Sequence, residues 1–361
     1  MVILMERRKT REVKVGSIII GGTADIPVQS MTNIPAHDFE GTVAQLLRLQ
    51  KAGCDIARIA VPEESVAEVF GYAKKNGVTM PLVADIHFDY KIALAALRCG
   101  ADKIRINPGN IGESWKVREV ADACKAQGVP IRIGVNGGSL EKSLLEKYGS
   151  PTAEAIAESA LTQADVLEGM GFSDIVVSIK SSDVQKMVRA SEIVAENSTY
   201  PIHLGVTEAG DVYSGLVKNA AGIGSLLTHG IGDTIRVSLT ADPVDEIRAG
   251  REILRAVGRW NRGGINIISC PTCGRTKVDL ISLVGKLREA VADVDTKGKS
   301  LNVAVMGCVV NGPGEAREAD FGVAGGDGFG VFFRRGVPEG RVEEADIVPT
   351  LLKYIDEFIE A

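Results

Sequence analysis

Short runs rich in Ile and Val recur along the first two-thirds of the chain, at Ile26–Ser30, Ile56–Ala60, Leu82–Ile86, Lys103–Asn107, Ile131–Val135, Ile175–Ile179, Ile202–Val206 and Thr234–Ser238. Helix-like stretches such as Gly41–Lys51 and Tyr90–Arg98 separate them, and several end in a glycine stop at Gly53, Gly100 or Gly171. Glycine just past the last helical turn is the usual C-cap. Short β-rich runs alternating with helices predict parallel strands with right-handed crossovers. Eight such units predict an α/β fold of the (β/α)8 TIM-barrel type, with a doubly wound sheet as the alternative. The segment Glu12–Ile20 predicts a small hairpin that plugs the N-terminal mouth of the barrel.

The pattern changes after a last barrel helix, Asp245–Trp260, which Asp242-Pro243 opens. Beyond the linker Asn261–Gly264 it reads strand (Ile265–Ser269), helix (Thr276–Val291), strand (Leu301–Met306), hairpin (Phe321–Phe333) and closing helix (Val342–Glu360). The domains are therefore drawn at 1–262, the barrel, and 263–361, a small α/β domain.

Composition narrows the class. With 361 residues, 45% of them apolar, the chain can bury a sizeable core without disulfides. A net charge of −6 and 5% aromatic residues count against a nucleic-acid binder, the one reading here that is not an enzyme. No apolar run approaches the roughly 18 residues of a membrane span. The chain reads as cytoplasmic, so its six cysteines are expected to be thiols or metal or cluster ligands.

Two constellations carry chemistry. Buried parallel strands are normally apolar, yet five of the eight bear or adjoin a cation: Arg58, Arg105, Arg132, Lys180 and Arg236. Such a ring makes sense around a strongly anionic ligand, two phosphates or one diphosphate, because the arginine fork donates two hydrogen bonds at once. Each Arg alone is as readily read as paired with a barrel carboxylate. Asn107, Asn136 and Ser238 stand near the same C-terminal strand ends, where barrel active sites form. Asp85, His87 and Glu208 are the acid/base candidates there. His203 reads as a core histidine, and the glycine pairs at Gly222–Gly224 and Gly325–Gly328 are weak phosphate-loop candidates.

In the second domain Cys270 and Cys273 form a C-x2-C pair, and Cys308 follows in a segment ending at Glu315. Three cysteines without a histidine fall short of a structural zinc site. A [4Fe–4S] cluster needs four ligand positions, and Glu315 is the nearest candidate for the fourth. A redox dithiol and an incomplete zinc ribbon remain alternatives. The last barrel helix would return the chain to the N-terminal end over roughly 24 Å, whereas a four-residue linker reaches about 14 Å. The cysteine-bearing domain is thus expected to serve the barrel of another subunit in a two-fold dimer.

The segments Pro27–Asn33 (PVQSMTN), Ala84–Phe88 (ADIHF), Lys103–Asn110 (KIRINPGN), Ile133–Ser139 (IGVNGGS), His203–Gly210 (HLGVTEAG), Gly232–Leu239 (GDTIRVSL), Ser269–Arg275 (SCPTCGR) and Met306–Glu315 (MGCVVNGPGE) together resemble the bacterial 4-hydroxy-3-methylbut-2-enyl diphosphate synthase family of the methylerythritol phosphate route to isoprenoids. The resemblance covers essentially the whole chain, without the long insert of the plant-type enzymes. It implies an iron–sulfur oxidoreductase acting on 2-C-methyl-D-erythritol 2,4-cyclodiphosphate. It also implies one [4Fe–4S] cluster per subunit on Cys270, Cys273, Cys308 and Glu315, reduced flavodoxin or ferredoxin as electron donor, and a homodimer. On that footing Glu208 is the expected proton donor, with Asp85 and His87 orienting the substrate. The rival is a non-reductive barrel transferase, such as a pterin-binding one, with a zinc-bearing appendage.

Overall fold

In the computed structural model, which describes residues 5–292, 294–310, 314 and 316–361, two units separate at Trp260, Met1–Trp260 and Asn261–Ala361. In the first, β1 (Val13–Val15) and β2 (Ile18–Ile20) form an antiparallel hairpin. Eight strands follow: β3 (Gln29–Met31), β4 (Ile56–Ala60), β5 (Leu82–Asp85), β6 (Lys103–Ile106), β7 (Ile131–Asn136), β8 (Ile175–Lys180), β9 (Ile202–Leu204) and β10 (Thr234–Ile235). They pair in parallel in chain order, and a single parallel bridge between Val28 and Ile235 joins the last strand region to the first.

Alternation along each strand sorts its side chains to opposite faces. Ile59, Ala84, Ile104, Ile106, Ile133, Val177 and Leu204 join one apolar core with residues of the surrounding helices. The alternate set points into the lumen. At its N-terminal end Ile56 and Val83 pack with Val15 and Ile20 of the hairpin, which plugs the barrel there. Higher up the lumen residues turn polar, with Arg58, Asp85, Lys103, Arg105, Arg132, Ser178 and His203 all buried.

Gly53, Gly100 and Gly171 hold the left-handed backbone of helix stops, at φ 76°, 92° and 78°. The last barrel helix runs Pro243–Ala256, shifted from the expected Asp245–Trp260. Asp242 caps its start by accepting from the Val244 N–H at 3.0 Å, and Gly258 (φ 66°) follows its end. Gly222 and Gly224 lie within the helix Val212–Thr228. A Cβ at Gly222 would come within 2.6 Å of Met187 Cε, so that glycine serves close helix packing and no phosphate loop.

The second unit is a five-stranded sheet in the order β11 (Gly264–Ser269), β12 (Ser300–Met306), β13 (Phe321–Gly325), β14 (Phe329–Arg334) and β15 (Val337–Glu343). The first three strands are parallel and the last two antiparallel. Helices Leu280–Ala290 and Ile347–Glu360 bring Leu283, Leu287, Leu351 and Ile355 against Leu301, Val303 and Val323. Two expected boundaries move. The first helix starts at Leu280 because the Asp279 side chain caps it, accepting from the Ser282 N–H at 3.2 Å. The closing helix starts at Ile347, because Val342 belongs to β15. That strand carries Pro338 and Gly340 and is polar and exposed, as a sheet edge tolerates. Gly325–Gly328 is the end of β13 and the hairpin turn that follows it.

Candidate active site

The C-terminal half of the barrel lumen is crowded with cations, and the described residues set few carboxylates against them. Asp85 on β5 accepts from Arg105 Nη1 at 2.9 Å and lies 3.5 Å from Arg58 Nε. Burial alone would raise its carboxyl pKa. Arg58, Arg105, Lys180 and Arg132 together outweigh burial and hold it well below the carboxylate range. Asp85 is therefore an ionised anchor for two arginines, a poor proton donor, and this narrows its expected acid/base role.

Arg105 also donates to the Gly134 carbonyl at 3.3 Å. A Cβ at Gly134 would lie 2.7 Å from its Nε, so only glycine leaves room for the guanidinium. Arg105 Nη1 lies 3.3 Å from His87 Nε2. Burial pushes the His87 imidazole pKa down. Since a guanidinium only donates, Nε2 accepts and the proton of the neutral ring sits on Nδ1.

Other lumen cations lack such partners. Arg132 is 0% exposed, and none of its three guanidinium nitrogens finds a partner among the described residues. Lys103, one strand away and equally buried, has an unpartnered Nζ. Burial, with Arg132 next in weight, drives the Lys103 pKa well below its usual value. Burial, then the neighbouring Arg105, Arg58 and Arg132, pushes Lys180 down to about 6. Unpaired buried cations of this kind are costly unless an anion joins them.

Arg132 and Lys180 border a cleft lined also by Arg58, Ser178, His203, Gly205, Thr207, Arg236 and Ser238. Of the expected substrate ligands it takes Arg58, Arg132, Lys180, Arg236 and Ser238. Arg105 is spent on Asp85 and Gly134. Asn107 caps a short helix, accepting from the Gly109 N–H at 3.1 Å, and Asn136 accepts from the Gly138 N–H at 3.3 Å; neither lines the cleft. Glu208 stands exposed in the loop after β9, in left-handed backbone at φ 53°, a conformation that costs energy outside glycine and clusters at functional sites.

His203 is buried, as expected of a core histidine, and it also lines the cleft. Its Nδ1 lies 3.4 Å from Thr234 Oγ1, whose own proton goes to the Pro27 carbonyl. Burial, then Arg132 and Lys103, keeps the ring neutral. Lys103 and Ser178 join His203 on the lumen face, where strand alternation places all three.

In the second unit Cys270 directly follows β11 and Cys308 lies just past β12, strands paired in parallel with Ser269 opposite Val305. Cys270, Cys273 and Cys308 are free thiols, partly or fully exposed. The Gly307 N–H donates to Cys270 Sγ at 3.2 Å, and thiolates are the usual ligands of an iron–sulfur centre. Among the described residues no three His, Cys, Asp or Glu side chains converge on one metal position. The expected ligand Glu315 lies outside the described residues.

Fold and cleft define a (β/α)8-barrel enzyme for a multiply charged anion, joined to a thiol-bearing α/β unit. Residues 10–251 match the GcpE TIM-barrel domain and residues 266–357 the GcpE protein C-terminal domain; the chain belongs to the GcpE family. A relative from Caldanaerobacter subterraneus subsp. tengcongensis, named 4-hydroxy-3-methylbut-2-en-1-yl diphosphate synthase (flavodoxin), is 53% identical over 98% of this chain and 98% of its own. One of the same name from Geobacillus thermodenitrificans is 52% identical over 99% of this chain and 94% of its own. A solved dihydropteroate synthase from Coxiella burnetii, in complex with pteroic acid, covers 69% of this chain and 98% of its own, with a TM-score of 0.50 and 15% identity. That likeness concerns the barrel fold alone. No helix among the described residues is long and apolar enough to cross a membrane.

Proposed function

We infer that this chain is a 4-hydroxy-3-methylbut-2-enyl diphosphate synthase. It opens the ring of 2-C-methyl-D-erythritol 2,4-cyclodiphosphate and removes one hydroxyl as water, taking up two electrons from reduced flavodoxin. The observation that carries this reading is the unpartnered Arg132 guanidinium at the floor of a cationic cleft, in a chain of the GcpE family. A [4Fe–4S] cluster on Cys270, Cys273, Cys308 and Glu315, one per subunit, would supply the electrons singly when bound.

The chain's own residues bind and orient. Arg132 and Lys180 have donors to spare for the diphosphate, and Arg58, Arg236 and Ser238 complete its cradle. Fixing both phosphates holds the carbon skeleton in one pose and removes much of the entropic barrier. Asp85 locks Arg105 and Arg58, and the Nδ1–H of neutral His87 is free to orient a substrate oxygen. Glu208 donates the proton that leaves with the departing water; Glu208→Gln is expected to lower turnover far more than binding.

The last barrel helix runs back along the strands, so the chain leaves the barrel at the end opposite the cationic cleft. That supports a homodimer in which each cleft is served by the partner's cysteine-bearing unit. Undiminished activity of a monomer would overturn this part. An enzyme fed by flavodoxin, with its six cysteines free, belongs in the cytoplasm.

The test is anaerobic purification, with iron, sulfide and zinc counted per chain and turnover of the cyclodiphosphate followed with reduced flavodoxin. About four irons and four sulfides per chain with reductive turnover support the reading. Stoichiometric zinc, no sulfide after reconstitution and no turnover would replace it with a non-reductive barrel transferase.

A further inference from the structure

The barrel has a weak seam. Seven of its strand junctions are ladders, but β10 is two residues long and meets the first strand region through the single Val28–Ile235 bridge and the Thr234 Oγ1 bond to the Pro27 carbonyl. Next to this seam, toward the cleft, sits a carboxylate that the catalytic reading does not use. Glu246, in the first turn of the helix Pro243–Ala256, is 2% exposed.

Each of its oxygens accepts two hydrogen bonds. Oε1 takes Arg236 Nη2 at 2.9 Å and the Leu239 N–H at 3.2 Å. Oε2 takes Arg236 Nε at 3.2 Å and Ser30 Oγ at 2.8 Å. Ser30 belongs to β3, on one side of the seam, and Arg236 and Leu239 follow β10, on the other. Bidentate capture fixes the guanidinium plane. Arg236 Nη1 bonds to no described residue and Arg236 lines the cleft, as does Ser238, the residue before Leu239.

We propose that Glu246 is a positioning residue for diphosphate binding: it staples the barrel seam and fixes Arg236 and the Ser238–Leu239 backbone as one preset edge of the cleft. The proposal rests on the anion-binding reading of the cleft. Its logic is preorganisation. An arginine held by a buried carboxylate loses little rotamer freedom when the ligand arrives, whereas a free one loses much. The carboxylate touches no reacting atom. It acts through Arg236, so its removal belongs in KM and leaves kcat nearly intact.

The test compares Glu246→Gln, Arg236→Met and the double variant with the wild-type enzyme. Inorganic pyrophosphate binding is measured by calorimetry, and KM and kcat with the cyclodiphosphate and reduced flavodoxin. Glu246→Gln is expected to weaken pyrophosphate binding and raise KM about tenfold, with kcat within about threefold, as for loss of a charge-assisted contact. The double variant is expected to bind no more weakly than Arg236→Met alone, since both changes remove one unit. Unchanged pyrophosphate binding in Glu246→Gln, or additive losses in the double variant, would overturn the proposal. If Glu246→Gln does not fold, Ser30→Ala decides, because it deletes one of the four bonds and keeps the charge. A two- to threefold weakening, roughly what one neutral hydrogen bond supplies, supports the proposal, and none overturns it. A wild-type protein that binds pyrophosphate but does not turn over the cyclodiphosphate would sink the assigned reaction and leave the role of Glu246 intact.

Discussion

The two chemically loaded regions of this protein are built on opposite plans. The cationic cleft is made of side chains on barrel strands, most of them buried, several locked by carboxylates and one, Arg132, enclosed without a partner among the described residues. The cysteine region hangs on segments past strand ends, with partly or fully exposed thiols that have not converged on a common point among the described residues. The first, on the proposed reading, is a preset socket for an anion. The second, on the proposed reading, supplies thiol donors for a cluster. Preorganisation costs folding stability in the barrel; in the small unit a bound metal centre would add folding free energy of its own.

The sharpest way to break this contrast is to remove a thiol. Cys308→Ser is expected to abolish iron and sulfide retention and to lower turnover at least about a thousandfold, the scale of losing an essential redox centre. Pyrophosphate affinity should be untouched. If pyrophosphate binding fell too, the regions would not be independent.

Next in size is Arg132→Met. Losing a desolvated guanidinium should weaken pyrophosphate binding by about a hundredfold, with iron content unchanged. The ligand-free variant should also melt a few degrees higher, because an unpaired buried charge has gone. A lower melting temperature would mean that Arg132 has a partner in solution.

The smallest effect is the protonation of Lys180. Its pKa in the folded, ligand-free protein is about 6, against an ordinary 10.5. Between these values the unfolded chain holds a proton that the folded one lacks, so this group makes stability rise with pH across that window. A bound diphosphate should return the proton. Calorimetry at pH 8 in two buffers of different ionisation heat is expected to show uptake of up to about one proton on pyrophosphate binding, lost in Lys180→Met. No uptake would place Lys180 outside the anion's reach.

The barrel was legible because its signals are local. Period, glycine stops and caps each act within a few residues, and they located β4, and the helix Tyr90–Arg98, to the residue. The cation ring was legible because charge in a buried strand is anomalous. What stayed hidden depends on partners. Glu246 looks like any first-turn acidic residue of a helix, and only folding brings Ser30 and Arg236 to it from far along the chain. Arg105 and Arg132 look alike in sequence, yet one is neutralised and the other is not. Lys103 and His203 follow the same alternation, but each sits near the start of a strand, below the cation ring. The strand β15 is not legible in the sequence, because an exposed edge has no apolar face to advertise it.

The unpaired Arg132 has a consequence for the lifetime of the protein. A ligand that binds only the folded state stabilises it in proportion to its occupancy, and on the proposed reading the diphosphate would also neutralise a charge that no described residue pairs. The molecule should be most easily unfolded and degraded when its substrate is scarce. Through that one residue, the supply of cyclic diphosphate would govern how much of the enzyme a cell retains as well as how fast it works.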